Sequence, residues 1–196
     1  MKKLILLFIL MIISFNANLS AEENQNIKRI SEGDKNAKIT IIVYESLTCG
    51  HCADFHNNVY PDLKKEFIDT GLVKIEFRHF PLDMAAFNAS KIAQCNNDGK
   101  SDVLHFLFSN QQKWVKGETA EEANNHLKKL LKGENINVNF EKCINDKSVE
   151  DYVLNDRIEG VKKHKVNATP TIIINEKKFD KPLNYKNLKK TLEKLI

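Results

Sequence analysis

Residues 39–52 read Ile39-Thr40-Ile41-Ile42-Val43-Tyr44-Glu45-Ser46-Leu47-Thr48-Cys49-Gly50-His51-Cys52. The run Ile39 to Tyr44 is β-branched and nearly continuously apolar, the pattern of a strand buried on both faces. Two cysteines three apart follow it, and then His56, Val59/Tyr60, Leu63 and Phe67 recur on one helical face. The CxxC therefore sits where a buried strand hands over to a helix. Pro61 should bend that helix, and Gly71 ends the connection. Beyond it Val73, Ile75, Phe77 and His79 alternate with Lys74, Glu76 and Arg78, the period of two that marks a second strand. Strand, helix, strand is a βαβ unit, so the two strands are expected to run parallel.

Working outward, residues 83–165 hold no convincing strand. Met84 to Asn96, Val103 to Val115, Thr119 to Lys132 and Ser148 to Lys165 read as helices. Thr119-Ala120-Glu121-Glu122 fits a capping box and Gly133 the C-terminal cap of the same helix. Ser148 with Asp151 fits another helix start. Asn167-Ala168-Thr169-Pro170 interrupts the chain, Thr171 to Ile174 makes a strand, and Asn175 to Lys177 a turn. Lys178-Phe179 is a short return, and Leu188, Leu192 and Leu195 mark a terminal amphipathic helix. Ile27 to Lys38 is polar and reads as an irregular or edge segment. The order β-α-β, helices, β-β-α describes an α/β domain whose halves are separated by a helical insertion at about 83–165.

The 196 residues suit one domain with an insertion, and 42% hydrophobic residues exclude a disordered chain. Met1-Lys2-Lys3, the apolar run Leu4 to Ile13 and the small, polar Ser14 to Ala21 have the layout of a secretory signal peptide, with cleavage after Ala21. An uncleaved anchor is the alternative, but the run is about half of the ~20 residues a bilayer span needs. Residues 1–21 are therefore read as the signal and 22–196 as the mature domain, working in the periplasm. Of the formal charge of +4, Lys2 and Lys3 supply two, leaving +2, too little to argue for nucleic acid. In an oxidising compartment the four cysteines, Cys49, Cys52, Cys95 and Cys143, favour disulfides over thiolate metal sites.

Cys49-Gly50-His51-Cys52 is where the chemistry is expected. A cysteine at a helix N-terminus meets unpaired N–H groups and the positive end of the helix dipole, both of which favour a thiolate. A protonated His51 would add a second positive charge beside the sulfur. Stabilising the thiolate stabilises the reduced form and makes the disulfide a stronger oxidant. A substrate thiolate would attack Cys49, a mixed disulfide would form, and the substrate's second thiol would release it, with Cys52 resolving stalled intermediates. Haem attachment would need His where Ala53 stands, and a zinc site using His51 or His56 finds no second CxxC or spaced His pair. A purely structural disulfide is the remaining alternative. Pro170 could simply end strand pairing; beside a CxxC it could instead be a cis-proline that leaves Thr169 backbone groups free for an extended peptide.

Three segments make the sequence resemble the bacterial DsbA-like thiol:disulfide oxidoreductases of the thioredoxin superfamily: Ser46 to His56, Arg78-His79-Phe80-Pro81-Leu82-Asp83, and Ala168-Thr169-Pro170-Thr171. The resemblance runs from about Glu32 to the C-terminus. It implies a thioredoxin fold with a helical domain inserted between the βαβ and ββα halves. It implies Cys49 as the exposed nucleophile with Cys52 its partner, and Pro170 as the cis-proline with Thr169 its neighbour. Gly50, Thr169 and Pro170 are then substrate-binding, and His51 assists Cys49. No cofactor is implied beyond the chain's own redox-active disulfide, and no metal. The implied partners are reduced exported proteins as substrates and a quinone-linked membrane protein similar to DsbB for reoxidation; a monomer is expected. Gly50-His51 is the dipeptide of disulfide isomerases, and Thr169 also occurs in isomerase relatives, which keeps isomerase or reductase as alternatives. Those often carry a dimerisation domain, and only some 17 residues separate Ala21 from Ile39, so oxidase is favoured. A non-catalytic peptide-binding chaperone is the alternative from another class. The buried acid that thioredoxin-like proteins carry six residues before the first cysteine is replaced by Val43, and Glu45, of the same strand parity, is its candidate substitute.

Cys95 and Cys143 fall in the insertion and are expected to pair as a structural disulfide. The closed loop of roughly 49 residues would be worth about 4 kcal/mol in the chain-entropy model. Tuning of the active-site potential and two buried free thiols are the alternatives. His79 and His105 read as packed core histidines, as does His56, although it could face the active-site edge. His126 and His164 lie among lysines and read as solvated. Phe106, Phe108 and Trp114 read as core.

Overall fold

The computed structural model describes residues 27–196. The signal-peptide reading of residues 1–21 lies outside them. Strands β1 (Ser31–Glu32), β2 (Ile39–Glu45), β3 (Val73–His79), β4 (Thr171–Ile174) and β5 (Lys177–Lys178) form one sheet in the order β1-β3-β2-β4-β5. β2 and β3 run parallel, from Ile39 beside Val73 to Glu45 beside His79. β1, β4 and β5 join antiparallel. β2 is buried on both faces except at Thr40, and β3 buries alternate residues, so each follows its hydrophobic pattern.

The crossover is a helical run over 50–68 (α1). α-Helical turns at Gly50–Asp54 and Tyr60–Leu63 alternate with wide π-type turns at Phe55–Val59 and Lys64–Ile68. The first wide turn ends at Val59, two residues before Pro61, which has no N–H to continue the α-helical ladder; the run is perturbed there but does not stop.

The insertion comprises α2 (Met84–Gln94), α3 (Asp102–Ser109), α4 (Gln111–Trp114), α5 (Ala120–Gly133), α6 (Phe140–Asn145) and α7 (Lys147–His164). Thr119 and Glu122 form the capping box. Three expectations are corrected. The helix expected over 103–115 is split at Asn110. Gly133 is the last helical residue, and the left-handed backbone that follows falls on Asn135 (φ 56°). α7 starts earlier than Ser148, because the Asp146 carboxylate accepts from the Ser148 and Val149 N–H groups. α6 has no counterpart in the sequence reading. Asn175 and Glu176 adopt positive φ in the two-residue hairpin between β4 and β5, and α8 (Tyr185–Leu192) closes the chain.

The sheet separates two apolar layers. The larger packs α1 and the insertion against Ile41, Val43, Ile75 and Phe77; the smaller joins Ile42, Tyr44, Phe80, Val166 and Ile173. In the smaller layer α7 lies directly on the sheet: a Cβ at Gly160 would come within 2.8 Å of the Tyr44 ring. His164 is buried there, its Nδ1 2.9 Å from the Tyr44 hydroxyl, which corrects its reading as a solvated side chain. Cys95 at the end of α2 is bonded to Cys143 in α6, with Cα atoms 5.4 Å apart. Among the described residues no helix is long and apolar enough to cross a membrane.

Candidate active site

Three stretches far apart in sequence meet at the C-terminal end of β2. The first is the loop from Ser46 to Cys49. Thr48 Oγ1 donates to Asp83 Oδ2 at 2.6 Å, while Asp83 Oδ1 accepts from the Ala86 N–H and caps α2. Phe80 N–H donates to the Glu45 carbonyl at 2.7 Å. Gln111, in the insertion, donates to the carbonyls of Leu47 and Cys49 at 2.8 and 3.0 Å. The sequence reading missed Gln111, and nothing local distinguishes it from the adjacent Gln112.

Cys49 is the N-cap of α1, half-buried, with no side-chain cap and no acidic residue in the first turn. The orphan N–H groups of that turn are therefore free to serve the sulfur. Its thiol is held down at about 5 against an ordinary 9. Donation from the Cys52 thiol is the largest cause. Partial burial opposes it, and the Thr169 side chain and the N–H groups of Cys52 and His51 add to the lowering. Cys52 is sealed beneath, and its pKa is driven far up by burial, by its bond to Cys49 and by the charge of Glu45. The pair is chemically asymmetric: one sulfur is an anion at neutral pH and the other a thiol.

The His51 imidazole is 88% exposed and lies 3.8 Å from the Asp54 carboxylate. What His51 brings to the Cys49 sulfur is its backbone N–H. Gly50 is also at the surface, and a Cβ there would meet nothing within 4 Å.

The third stretch carries Thr169 and Pro170, joined by a cis peptide bond. The Thr169 carbonyl accepts from the Cys49 thiol at 3.4 Å. A thiolate cannot donate, so that contact belongs to the protonated state. The Thr169 hydroxyl, buried and without a nitrogen or oxygen partner, is the donor available to the anion. A cleft lined by His51, Asp54, Phe55, Asn58, Thr169 and Pro170 runs beside the pair.

Behind Cys52, Glu45 is buried, and burial pushes its carboxyl up to about 8. Oε2 lies 2.7 Å from His56 Nε2, and Oε1 has no partner. His56, kept neutral by burial with a pKa of about 3, continues to His105, Nδ1 to Nδ1 at 2.9 Å. His105 Nε2 reaches Glu32 Oε1 at 2.8 Å. His56 and His105 also stack on Phe108 and Tyr60, so the expected packing and an unexpected polar network coexist. Among the described residues no group of three or more His, Cys, Asp or Glu is arranged to hold a metal.

A family profile described as Thioredoxin matches residues 25–194. Wolbachia pipientis alpha-DsbA1 superposes with a TM-score of 0.75 and 31% identity, over 85% of this chain and 90% of that one. Disulfide bond formation protein D of Bacillus subtilis is 29% identical over 173 residues, 83% of this chain and 74% of its own. A Rickettsia bellii protein provisionally named a protein-disulfide oxidoreductase is 27% identical over 164 residues, 83% of this chain; the match spans 61% of that relative's length. With the sheet order, the helical insertion and the strand-to-helix CxxC in place, the chain belongs to the thioredoxin family, in its DsbA-like branch.

Proposed function

We propose that this chain is an exported thiol:disulfide oxidoreductase that introduces disulfides into reduced proteins through Cys49 and Cys52. The observation that carries the reading is the asymmetry of the pair, with Cys49 held down at about 5 and Cys52 driven up beneath it. A substrate thiolate attacks Cys49 Sγ, the Cys49–Cys52 bond breaks, and the electron pair goes to Cys52, which takes up a proton. The substrate's second thiolate then attacks the substrate sulfur of the mixed disulfide, and Cys49 leaves as the stabilised thiolate. Two electrons pass to the protein and the substrate is oxidised. Glu45, protonated at neutral pH, is the proton partner of Cys52. The cleft beside Thr169 and Pro170 suits an extended peptide.

Export rests on the signal-like residues 1–21, and the periplasm is the compartment proposed. Reoxidation calls for an electron acceptor, for which a quinone-linked membrane protein similar to DsbB fits the chemistry. Oxidative refolding of a reduced test protein, with Cys49→Ser as control, tests the activity; equal yield with the variant would leave only the peptide-binding chaperone. The Gly50-His51 dipeptide favours isomerase or reductase as the second reading. Equilibration of Cys49–Cys52 with glutathione separates them: a potential near about −120 mV marks an oxidant and one near about −270 mV a reductase.

A further inference from the structure

We propose that His56, His105 and Glu32 form a proton relay that connects Glu45, and through it the buried Cys52, to a separate cleft on the surface. The proposal rests on the reading of Cys49–Cys52 as an exchanging pair with Glu45 as proton partner, and adds the route by which Glu45 is reset.

The geometry is a single file of ring and carboxyl atoms. Glu45 Oε2 to His56 Nε2 is 2.7 Å, His56 Nδ1 to His105 Nδ1 is 2.9 Å, and His105 Nε2 to Glu32 Oε1 is 2.8 Å. Each imidazole is entered at one nitrogen and left at the other, which a tautomer shift requires. One assignment satisfies every link. The Glu45 carboxylic acid donates to His56 Nε2, His56 Nδ1–H donates to His105 Nδ1, and His105 Nε2–H donates to the Glu32 carboxylate. Shifting one proton along each link reverses all three bonds without any heavy atom moving far. Glu45 and His56 are buried, and the file opens onto a cleft that the inner edge of His56 lines together with His105, Glu32, Ser31, Tyr60 and Lys64.

Glu32 is equipped as a terminus. Tyr60 donates to its Oε2 at 2.6 Å, Ser101 donates to Oε1, and the Lys64 ammonium lies 3.4 Å from Oε2. A buried hydrophobic residue in place of His56 would pack against Phe108 equally well, yet leave Glu45 with no exchange partner among its present contacts. The charged and titratable groups acting on Glu45 come from three elements: Cys49, Cys52 and His56 of α1, His79 of β3 and His105 of α3.

When Cys52 resolves a mixed disulfide at Cys49, the Glu45 acid first yields its proton to His56 as His56 passes its own to His105 and His105 its own to Glu32 and the cleft; the carboxylate so formed takes the proton of the Cys52 thiol, directly or across one water. Its thiolate then attacks Cys49 Sγ, and the bound thiol leaves with the bonding electron pair. Glu45 is thereby returned to the acid, and one proton has left the interior for the one that Cys52 gave up. In substrate oxidation the same protons run inward as Cys52 leaves Cys49.

The test follows release of glutathione from the Cys49–glutathione mixed disulfide, by rapid mixing at neutral pH. His105→Ala is expected to slow release roughly tenfold, a modest share of what general acid–base catalysis contributes. Imidazole in solution, admitted by the open cleft, is expected to restore the rate in a saturable manner. His105→Gln retains hydrogen-bonding groups but cannot shift a tautomer, and is expected to stay slow. Release at the wild-type rate in either variant, or His105→Ala without imidazole rescue, overturns the relay. If circular dichroism finds His105→Ala unfolded, Glu32→Gln takes its place; it is expected to be slow, and a wild-type rate overturns the proposal. Glu45→Gln distinguishes the underlying reading: unchanged release there removes Glu45 as proton partner and the relay with it. Slow release in Glu45→Gln beside normal release in His105→Gln removes the relay alone.

Discussion

Thr169→Val isolates one contribution to the Cys49 anion. The substitution keeps the branched shape and the backbone carbonyl but removes the hydroxyl, which is buried and has no nitrogen or oxygen partner. A hydrogen bond to a charged group is worth about 1.5–3 kcal/mol. Cys49 is only half-buried, and solvent screening reduces this to about 1–1.5 kcal/mol. That raises the thiol from about 5 to roughly 6. The sign follows from linkage. A depressed thiol pKa stabilises the reduced protein above that pKa, so weakening the depression destabilises the reduced form at neutral pH. About 1.4 kcal/mol corresponds to about 30 mV, in the more reducing direction. In the oxidised protein no anion is present, and removing an unpartnered buried hydroxyl leaves stability level or raises it. Ultraviolet titration of the thiolate, equilibration with glutathione and urea denaturation of the oxidised form measure the three quantities. A midpoint that stays near 5, or a potential that becomes more oxidising, refutes the assignment of the hydroxyl as donor to the sulfur.

With Cys49 ionised and Cys52 a thiol, reduction takes up one proton for two electrons. The potential should fall by about 30 mV per pH unit between pH 5 and 9, and by about 59 mV below pH 5, where both sulfurs bind protons. Stability of the oxidised protein should pass through a maximum, measured as the urea midpoint against pH. His56, lowered by burial from 6.5 to about 3, and Glu32, lowered from 4.5 to about 2 by donors that outweigh its burial, make stability rise with pH. Glu45, raised from 4.5 to about 8, makes it fall. His79, which burial also lowers, adds to the rise below pH 6.5, so the midpoint should be highest near pH 6.5 and drop on either side of it. Gly160→Ala forces a methyl against the Tyr44 ring at 2.8 Å and should cost about 1–3 kcal/mol in urea denaturation without changing exchange at Cys49.

Much of the framework was legible because local pattern and tertiary environment agree. Ile39 to Tyr44 could only be a doubly buried strand, the alternation from Val73 to His79 marked a half-exposed one, and Thr119 with Glu122 carried its own capping chemistry. The handover from β2 to Cys49 then placed a sulfur at a helix start. What stayed hidden depends on contacts between distant residues. His56 meets His105 across 49 positions, and His105 meets Glu32 across 73; each looked like an ordinary core or surface residue by itself. His164, among lysines, is buried because α7 lies down on Tyr44 at Gly160, which no helical periodicity in its own segment reveals. The imidazole of His51 points outward, because in the first turn of a helix the backbone N–H faces the cap while the side chain turns away.

The cleft at Glu32 is bordered by residues of β1, the middle of α1 and the start of α3, apart from those that flank Thr169 and Pro170. A polypeptide stretched over Cys49 would leave this second mouth uncovered. Electron traffic and acid–base traffic could then proceed together through separate doors, so a tightly seated client would not have to lift off for the interior to regain its hydrogen balance.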